Sequence, residues 1–266
     1  MAKHDLVIRI AGESGEGVIS TGELVTLAAA RAGFFVFTYR TYPAEIKGGH
    51  AVYQLRLSDR PIHSQGDDLD ILLTFNQEGY DRHHEEMRQD GILIYDNGAF
   101  NGNNLPFKRV FGLPLSDIAR NQIRMPLSKN VVAVGALCSL FSIPDKIVEP
   151  LLKAKFERKG AAVLKKNIDA LGSGRNYVEK NFDGIDSIKI TPKPHGKKLV
   201  LSGNEAIALG AIVAGCRLYF GYPITPASDI MEFAAAEFPK IGGTVMQAED
   251  EIAAITMAIG ASYAGK

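Results

Sequence analysis

DLVIRIAGESGEGVISTGELVTLAAARAG, residues 5–33, carries a strand, a glycine-rich loop and a helix in one run. DLVIRIAG is short, apolar and closed by a glycine, the pattern of a buried strand. ISTGELVTLAAARAG has apolar residues at helical spacing and ends on Gly33, a residue suited to a helix C-terminus. Between the two, Gly12, Gly15 and Gly17 would let backbone amides approach a phosphate at the positive end of the helix. The spacing is G-x-x-G-x-G, not the dinucleotide-binding G-x-G-x-x-G, and no G-K-[ST] follows. A glycine turn that merely packs strand against helix accounts for it as well as a ligand loop does.

The alternation continues outward from that unit. FFVFTYRTY (34–42), HAVYQLRLSD (50–59), LDILLTF (69–75) and GILIYDNG (91–98) read as strands. QEGYDRHHEEMRQD (77–90), NVVAVGALCSLFSI (130–143) and 145–171 read as helices. Repeated strand–helix alternation predicts an open α/β sheet with helices on its faces over residues 1–171. From Gly172 the apolar runs thin out and the chain reaches TPKPHGKK, so 172–198 reads as a linker. A second α/β pattern occupies 199–266. Asn204 is placed to cap a helix over 205–216, and CRLYF (216–220) is strand-like. A Pro-Thr-Pro turn and a helix (228–238) follow, then the strand GTVMQA (243–248) and a helix from Glu249. That last stretch is small for an α/β domain. It reads either as the N-terminal part of a longer polypeptide or as a complete chain whose last domain needs a partner to finish its core.

Composition narrows the function classes. Hydrophobic residues make up 46% and charged residues 23%, with thirty basic and thirty acidic side chains. A balanced charge gives no electrostatic footprint for nucleic acid. The apolar runs fall short of the roughly 18–20 residues a membrane span needs, and MAKHDLVIRI, without a basic segment followed by an apolar signal core, reads as the start of a cytoplasmic strand. The two cysteines, Cys138 and Cys216, lack C-x-x-C spacing, so this chain does not supply the thiolates of an iron–sulfur cluster or a zinc site. Buried reduced thiols suit a cytoplasmic protein.

Four stretches could carry chemistry. In YRTYPAEIKGGH, Arg40, Lys47 and the Gly48–Gly49 pair suit a phosphate or carboxylate, or else a solvated or subunit-contact loop. RHHEEM (82–87) reads as a solvated helical face, because adjacent His83 and His84 diverge on a helix. YPITP (222–226) sets Thr225 in a turn stiffened by Pro223 and Pro226 between strand and helix. Glu249, Asp250 and Glu251 open the last helix, where capping accounts for some of the charge. Glu249 lies nearest the strand end, where open α/β sheets place ligands. Partly desolvated against the apolar helix, it could hold a proton near neutral pH.

YPITP, with QAEDEIAAI (247–255) and GASYAG (260–265), resembles the pyrimidine-binding domain of the 2-oxoacid:ferredoxin oxidoreductases. AGESGEGVISTGELV and TYPAEIKGG resemble the gamma domain of the same family. Gamma ahead of alpha is similar to the fused large subunit of the two-subunit 2-oxoglutarate or broad 2-oxoacid enzymes. The resemblance implies thiamine diphosphate bound between two domains, with Glu249 at N1′ of its aminopyrimidine. Thr225 would face the oxoacid, Tyr222 and Ile224 would shape that wall, and Pro223 would help hold the turn at the cofactor. A coenzyme A role in the gamma domain carries over to Gly15, Gly17, Arg40 and Lys47, although Ser14 and Glu16 depart from the family's loop. Magnesium, the diphosphate site and a 4Fe-4S cluster fall to a separate beta subunit. Ferredoxin is the implied electron acceptor and a heterotetramer the implied assembly. Related pyruvate, branched-chain or indolepyruvate enzymes, and a non-catalytic nucleotide- or coenzyme-A-binding module, stand as alternatives.

Overall fold

Strand β1 (Asp5–Glu13) sends its side chains into two apolar layers. Leu6, Ile8 and Ile10 are buried on one face and Val7 and Ala11 on the other. A strand buried on both faces belongs inside a sheet covered on both sides. The computed structural model places it there, and describes residues 4–41, 48–182, 190–193, 196 and 198–266. The chain divides into two units, Met1–Gly196 and Lys197–Lys266.

In the first unit, α1 (Val18–Ala32) follows the glycine loop, and β2 (Phe35–Thr41) and β3 (His50–Ser58) follow α1. Then come β4 (Leu69–Thr74), α2 (Gln77–His83), β5 (Met87–Asp96) and β6 (Arg109–Leu113). The sheet order is β2-β3-β1-β4-β5-β6. β1, β4, β5 and β6 run parallel, while β3 is antiparallel to both β1 and β2. The expected open α/β sheet is thus present, with two differences. The charged stretch 77–90 stays helical only through Glu86, and β5 begins at Met87, whose side chain enters the second apolar layer. β6 has no counterpart among the strands read from sequence. RVFGL is too short to show a period, and it is a strand by virtue of pairing with β5.

The helices on the main face are α1, α4 (Lys129–Leu140), α5 (Asp145–Phe156) and α6 (Ala161–Asn181), after a single turn α3 (Leu115–Asp117). Val131, Val132, Ala133, Val134, Ala136 and Leu137 are all at most 1% exposed, so α4 is the centre of the core. It crosses α6 at two glycines. A Cβ on Gly135 would lie 2.0 Å from the Leu171 carbonyl oxygen, and one on Gly174 would lie 2.0 Å from that of Val132. The expected linker over 172–198 therefore begins in error: Gly172, Ser173 and Gly174 sit within α6, which continues to Asn181. The glycines that suggested a flexible segment are there for close packing. Beyond the helix, Ile190 is buried in the same core and Lys193 pairs with Asp59 at 2.9 Å. That ammonium, ahead of His4, holds the Asp59 carboxyl below its usual range.

Cys138 is wholly buried in α4, and burial pushes its thiol up to about 12. Cys216 is only half-buried, and its thiol donates to the Leu218 carbonyl at 3.2 Å.

On the other face of the sheet, α2 covers β1 and β4 with Tyr80, which stacks on Phe100 at 5.2 Å. The RHHEEM stretch is not simply a solvated face. His83 is largely buried, and its Nε2 lies 2.7 Å from Nε2 of His50. Arg9 donates to Nδ1 of His83 at 2.8 Å, to Glu86, and to Oε1 of Gln54 at 3.0 Å. Nδ1 of His83 also lies 3.0 Å from Oε1 of Glu86. Burial holds both imidazoles below their ordinary value; neighbouring cations add to this, and Glu86 opposes it at His83.

The second unit holds α7 (Gly203–Val213), β7 (Leu218–Gly221), α8 (Ser228–Glu237), β8 (Thr244–Gln247) and α9 (Glu251–Tyr263). β7 and β8 form a parallel pair. Asn204 does not cap α7. Ser202 and Glu205 form a reciprocal capping box, with Ser202 Oγ accepting from Glu205 N and the Glu205 carboxylate accepting from Ser202 N. Buried apolar side chains here are few, namely Ala208, Ala234, Phe238 and Ala248, while Ile252, Ile255, Ile259 and Tyr263 form an exposed stripe along α9.

Two stability outcomes follow from the first unit. Gly174→Ala should destabilise it by about 1–3 kcal/mol or more, since the methyl meets backbone that must shift. Gly172→Ala, with nothing within 4 Å of its Cβ, should stabilise the same helix by about 0.5–1 kcal/mol. Urea denaturation followed by circular dichroism distinguishes them, and equal effects would refute the close crossing. The second concerns pH. Imidazoles held neutral in the fold but free to charge when unfolded stabilise it above about 6.5, and that contribution is lost as pH falls through this value. The depressed Asp59 carboxyl acts only at lower pH, as it falls through the carboxylate range. The melting temperature should thus drop between pH 7 and pH 5.5, and His83→Gln should flatten the drop.

Candidate functional site

The two parallel strands of the second unit end side by side. Gly221, the last residue of β7, is in register with Gln247, the last of β8, and the Ala248 amide donates to the Gly221 carbonyl at 2.8 Å. The segments leaving these ends are Tyr222–Pro226 on one side and Glu249 on the other. Sequence places them more than twenty residues apart, and the strand pairing makes them neighbours. In open α/β sheets the carboxyl ends of the strands are where ligands bind.

The turn is built by its prolines and by one carbonyl. Ile224 O accepts from Ala227 N at 2.8 Å and Ser228 N at 3.0 Å, which starts α8, and the Thr225–Pro226 bond is cis. Tyr222 and Ile224 are 40% and 50% exposed, and Thr225 is exposed beside them. The Thr225 hydroxyl has no partner among the described residues and is free for a ligand.

The three acids divide their work. Asp250 caps α9, accepting from Ala253 N at 2.6 Å, and Glu251 opens the helix. Glu249 precedes the cap, is exposed, and has no side-chain partner among the described residues. The desolvation expected of it from the apolar helix is not supplied by this unit, because α9 buries none of its residues. A carboxylate in this position can accept or share a proton with a ligand lying across the strand ends.

The first unit gathers a different set at the carboxyl ends of its parallel strands. The glycine loop and the end of the β2–β3 hairpin meet there, with Ser14 N donating to Gly49 O at 2.8 Å. Gly15 (φ 97°) faces open space. Gly17 (φ 93°) is held against α4, where a Cβ would lie 2.6 Å from that of Asn130. Its glycine therefore has a packing reason. Arg40 pairs with Glu23 at 3.1 Å, and Lys47 lies outside the described residues.

Glu16, which sequence reading marked only as a departure, occupies the loop. Its Oε2 accepts from Glu13 N and Asn76 Nδ2, both at 2.8 Å, and its Oε1 from Lys129 Nζ at 2.7 Å. Lys129 also lies 3.7 Å from Oδ2 of the fully buried Asp96, whose Oδ1 accepts from Ser116 N and Gly98 N at 3.2 Å. Three donors beside the loop, Glu13 N, Asn76 Nδ2 and Lys129 Nζ, are thus taken by the chain's own carboxylate. Lys129 and Asp96 were not legible as site neighbours, being far from Glu16 in sequence. Among the described residues no group of three His, Cys, Asp or Glu is arranged to hold a metal, and no helix is long and apolar enough to cross a membrane.

Comparison with known proteins agrees with both halves. Residues 7–177 match the family described as pyruvate ferredoxin/flavodoxin oxidoreductase, and 209–266 match its thiamine diP-binding domain. The 2-oxoglutarate oxidoreductase subunit KorA of Mycobacterium tuberculosis is 31% identical over 98% of this chain and 45% of its own length. The chain spans about half the length of the curated relatives it matches. A solved 2-oxoglutarate:ferredoxin oxidoreductase from Magnetococcus marinus, with 2-oxoglutarate, coenzyme A and succinyl-CoA bound, superposes with a TM-score of 0.89. It is 39% identical over 99% of this chain and 46% of that one. The gamma subunit of a keto/oxoacid ferredoxin oxidoreductase from Geobacter sulfurreducens shares the fold, at 23% identity and a TM-score of 0.54, over 67% of this chain and 98% of its own. This chain belongs to the pyruvate ferredoxin/flavodoxin oxidoreductase family.

Proposed function

We propose that the chain is the gamma domain and the beginning of the alpha domain of a 2-oxoacid:ferredoxin oxidoreductase of the 2-oxoglutarate type. The reaction is oxidative decarboxylation of 2-oxoglutarate with coenzyme A, giving succinyl-CoA and carbon dioxide, with electrons passing to ferredoxin. One observation carries this reading: an unpartnered carboxylate, Glu249, next to an exposed proline-held threonine, at the carboxyl ends of paired strands. That donor set fits the aminopyrimidine end of thiamine diphosphate, whose nitrogens can share a proton with a carboxyl group.

When bound, thiamine diphosphate supplies the electron sink for decarboxylation. Glu249 would hold or release the proton at N1′ of the aminopyrimidine. The Thr225 hydroxyl would orient the oxoacid's carboxylate or carbonyl, Tyr222 and Ile224 would exclude water from that side, and Pro223 would keep the wall rigid beside the cofactor. In this reading a beta subunit supplies the rest of the site, with magnesium, the diphosphate site and a 4Fe-4S cluster, in a heterotetramer. In the first unit, the surface around Gly15, Gly17 and Arg40, with Lys47, is the proposed approach of coenzyme A. Copurification with the beta subunit, followed by viologen reduction over several 2-oxoacids with coenzyme A, tests the assignment. A preference for pyruvate or a branched-chain oxoacid would change the substrate and keep the class.

Two substitutions, made in the full chain assembled with its partner, test the roles. Glu249→Gln should lower turnover by about 10²–10⁴-fold, the usual worth of a positioned proton-transfer group, with folding unchanged. Near-normal turnover would remove the role. Thr225→Ala should lower kcat/KM for the oxoacid by about tenfold or more, as expected for a hydrogen bond to a charged group. Thiamine diphosphate affinity should stay constant, and an unaltered kcat/KM would count against the threonine.

A further inference from the structure

We propose that Asn204 is a positioning residue that holds the Thr225 turn from the neighbouring helix. The inference rests on the reading of Thr225 as the oxoacid contact and adds a residue that the motif itself does not contain.

Asn204 lies in the first turn of α7, where sequence reading expects it to cap. The capping is complete without it, since Ser202 and Glu205 satisfy each other's backbone amides. Asparagine is also a poor helix former, because its side chain competes for backbone groups. Neither capping nor helix propensity explains its presence. Its Nδ2 instead donates to the Pro226 carbonyl oxygen, 22 residues away, at 2.7 Å.

That carbonyl accepts none of the turn's own backbone bonds. Within the turn both amide donors, Ala227 N and Ser228 N, go to Ile224 O, and the first bond of α8 runs from Ile230 N to Ala227 O. Pro226 has no amide hydrogen, so its carbonyl is the group through which the residue after Thr225 can be tied down. That carbonyl belongs to the Pro226–Ala227 peptide plane, and because the proline ring restricts φ of Pro226, anchoring it limits how far the adjoining Thr225 can shift. The tie comes from a packed element, because α7 lies against α8 and buries Ala208, while α8 buries Ala234. Asn204 thus transfers the rigidity of a helix to a turn that has no side-chain support of its own among the described residues. A displacement near 1 Å in such a positioning group is enough to cost a reaction orders of magnitude.

The test uses the full chain assembled with its beta subunit. Asn204→Ala, Asn204→Asp, Thr225→Ala and the Asn204→Ala/Thr225→Ala double variant are compared by kcat, KM for the oxoacid, thiamine diphosphate affinity and melting temperature. Asn204→Asp keeps the size and places a favourable charge in the first helical turn, so it removes the donor without weakening α7. Both Asn204 variants should lower kcat/KM for the oxoacid by about five- to tenfold, the worth of one net hydrogen bond. Cofactor affinity and melting temperature should hold. The double variant should be no worse than Thr225→Ala alone, because a tie on an absent hydroxyl has nothing left to orient. Unchanged kcat/KM in either Asn204 variant, or losses that add fully in the double variant, would overturn the inference while the Thr225 reading stands. A silent Thr225→Ala would overturn that reading, and this inference with it.

Discussion

Helices α4 and α6 meet backbone to backbone because Gly135 and Gly174 put no side chain between them. Much of the first unit depends on that separation. It lets α4 sink until nearly every residue is buried beneath the sheet. It also sets where the first turn of α4 arrives: Asn130 lies against Gly17, and Lys129 reaches Glu16 and Asp96. The glycine loop after β1 is therefore shaped as much by a helix more than a hundred residues away as by its own sequence. A bulkier residue at the crossing would lift α4 and take Lys129 away from the carboxylates it joins.

The second unit works by the opposite economy. It buries few apolar side chains and leaves the α9 stripe of Ile252, Ile255, Ile259 and Tyr263 outside. Its order comes from local devices: a capping box on α7, an aspartate cap on α9 and a proline-held turn between β7 and α8. Those devices act at the ends of elements, which is where Thr225 and Glu249 stand. Local structure thus defines the candidate site even where the core around it is thin.

Strand–helix alternation made the α/β sheet legible, because buried strands and amphipathic helices leave periods that survive in a single sequence. That Thr225 and Glu249 each follow a strand was legible, while the parallel pairing that sets the two strand ends side by side comes from the structure. What escaped reading shares a physical cause. Gly172 and Gly174 look alike in sequence, yet one faces open space and the other a carbonyl oxygen. RVFGL shows no period in isolation and becomes β6 by pairing. Glu16 and Lys129, His50 and His83, and Asn204 and Pro226 are pairings across sequence distance, invisible to patterns read along the chain. Glu249 was read as desolvated by its helix, but α9 buries none of its own residues and the carboxylate is exposed.

The two cysteines lie one in each unit and in unlike surroundings. Cys138 is enclosed by the core that the glycine crossing builds, and burial keeps its thiol protonated. Cys216 is half-open, beside the strand that leads to the Thr225 turn. Thiol-modifying reagents attack thiolates that solvent can reach. The chain therefore carries two native chemical reporters: modification of Cys138 marks the opening of the sheet core, and modification of Cys216 marks the loosening of the site-bearing unit, each timed independently in one molecule without an added label.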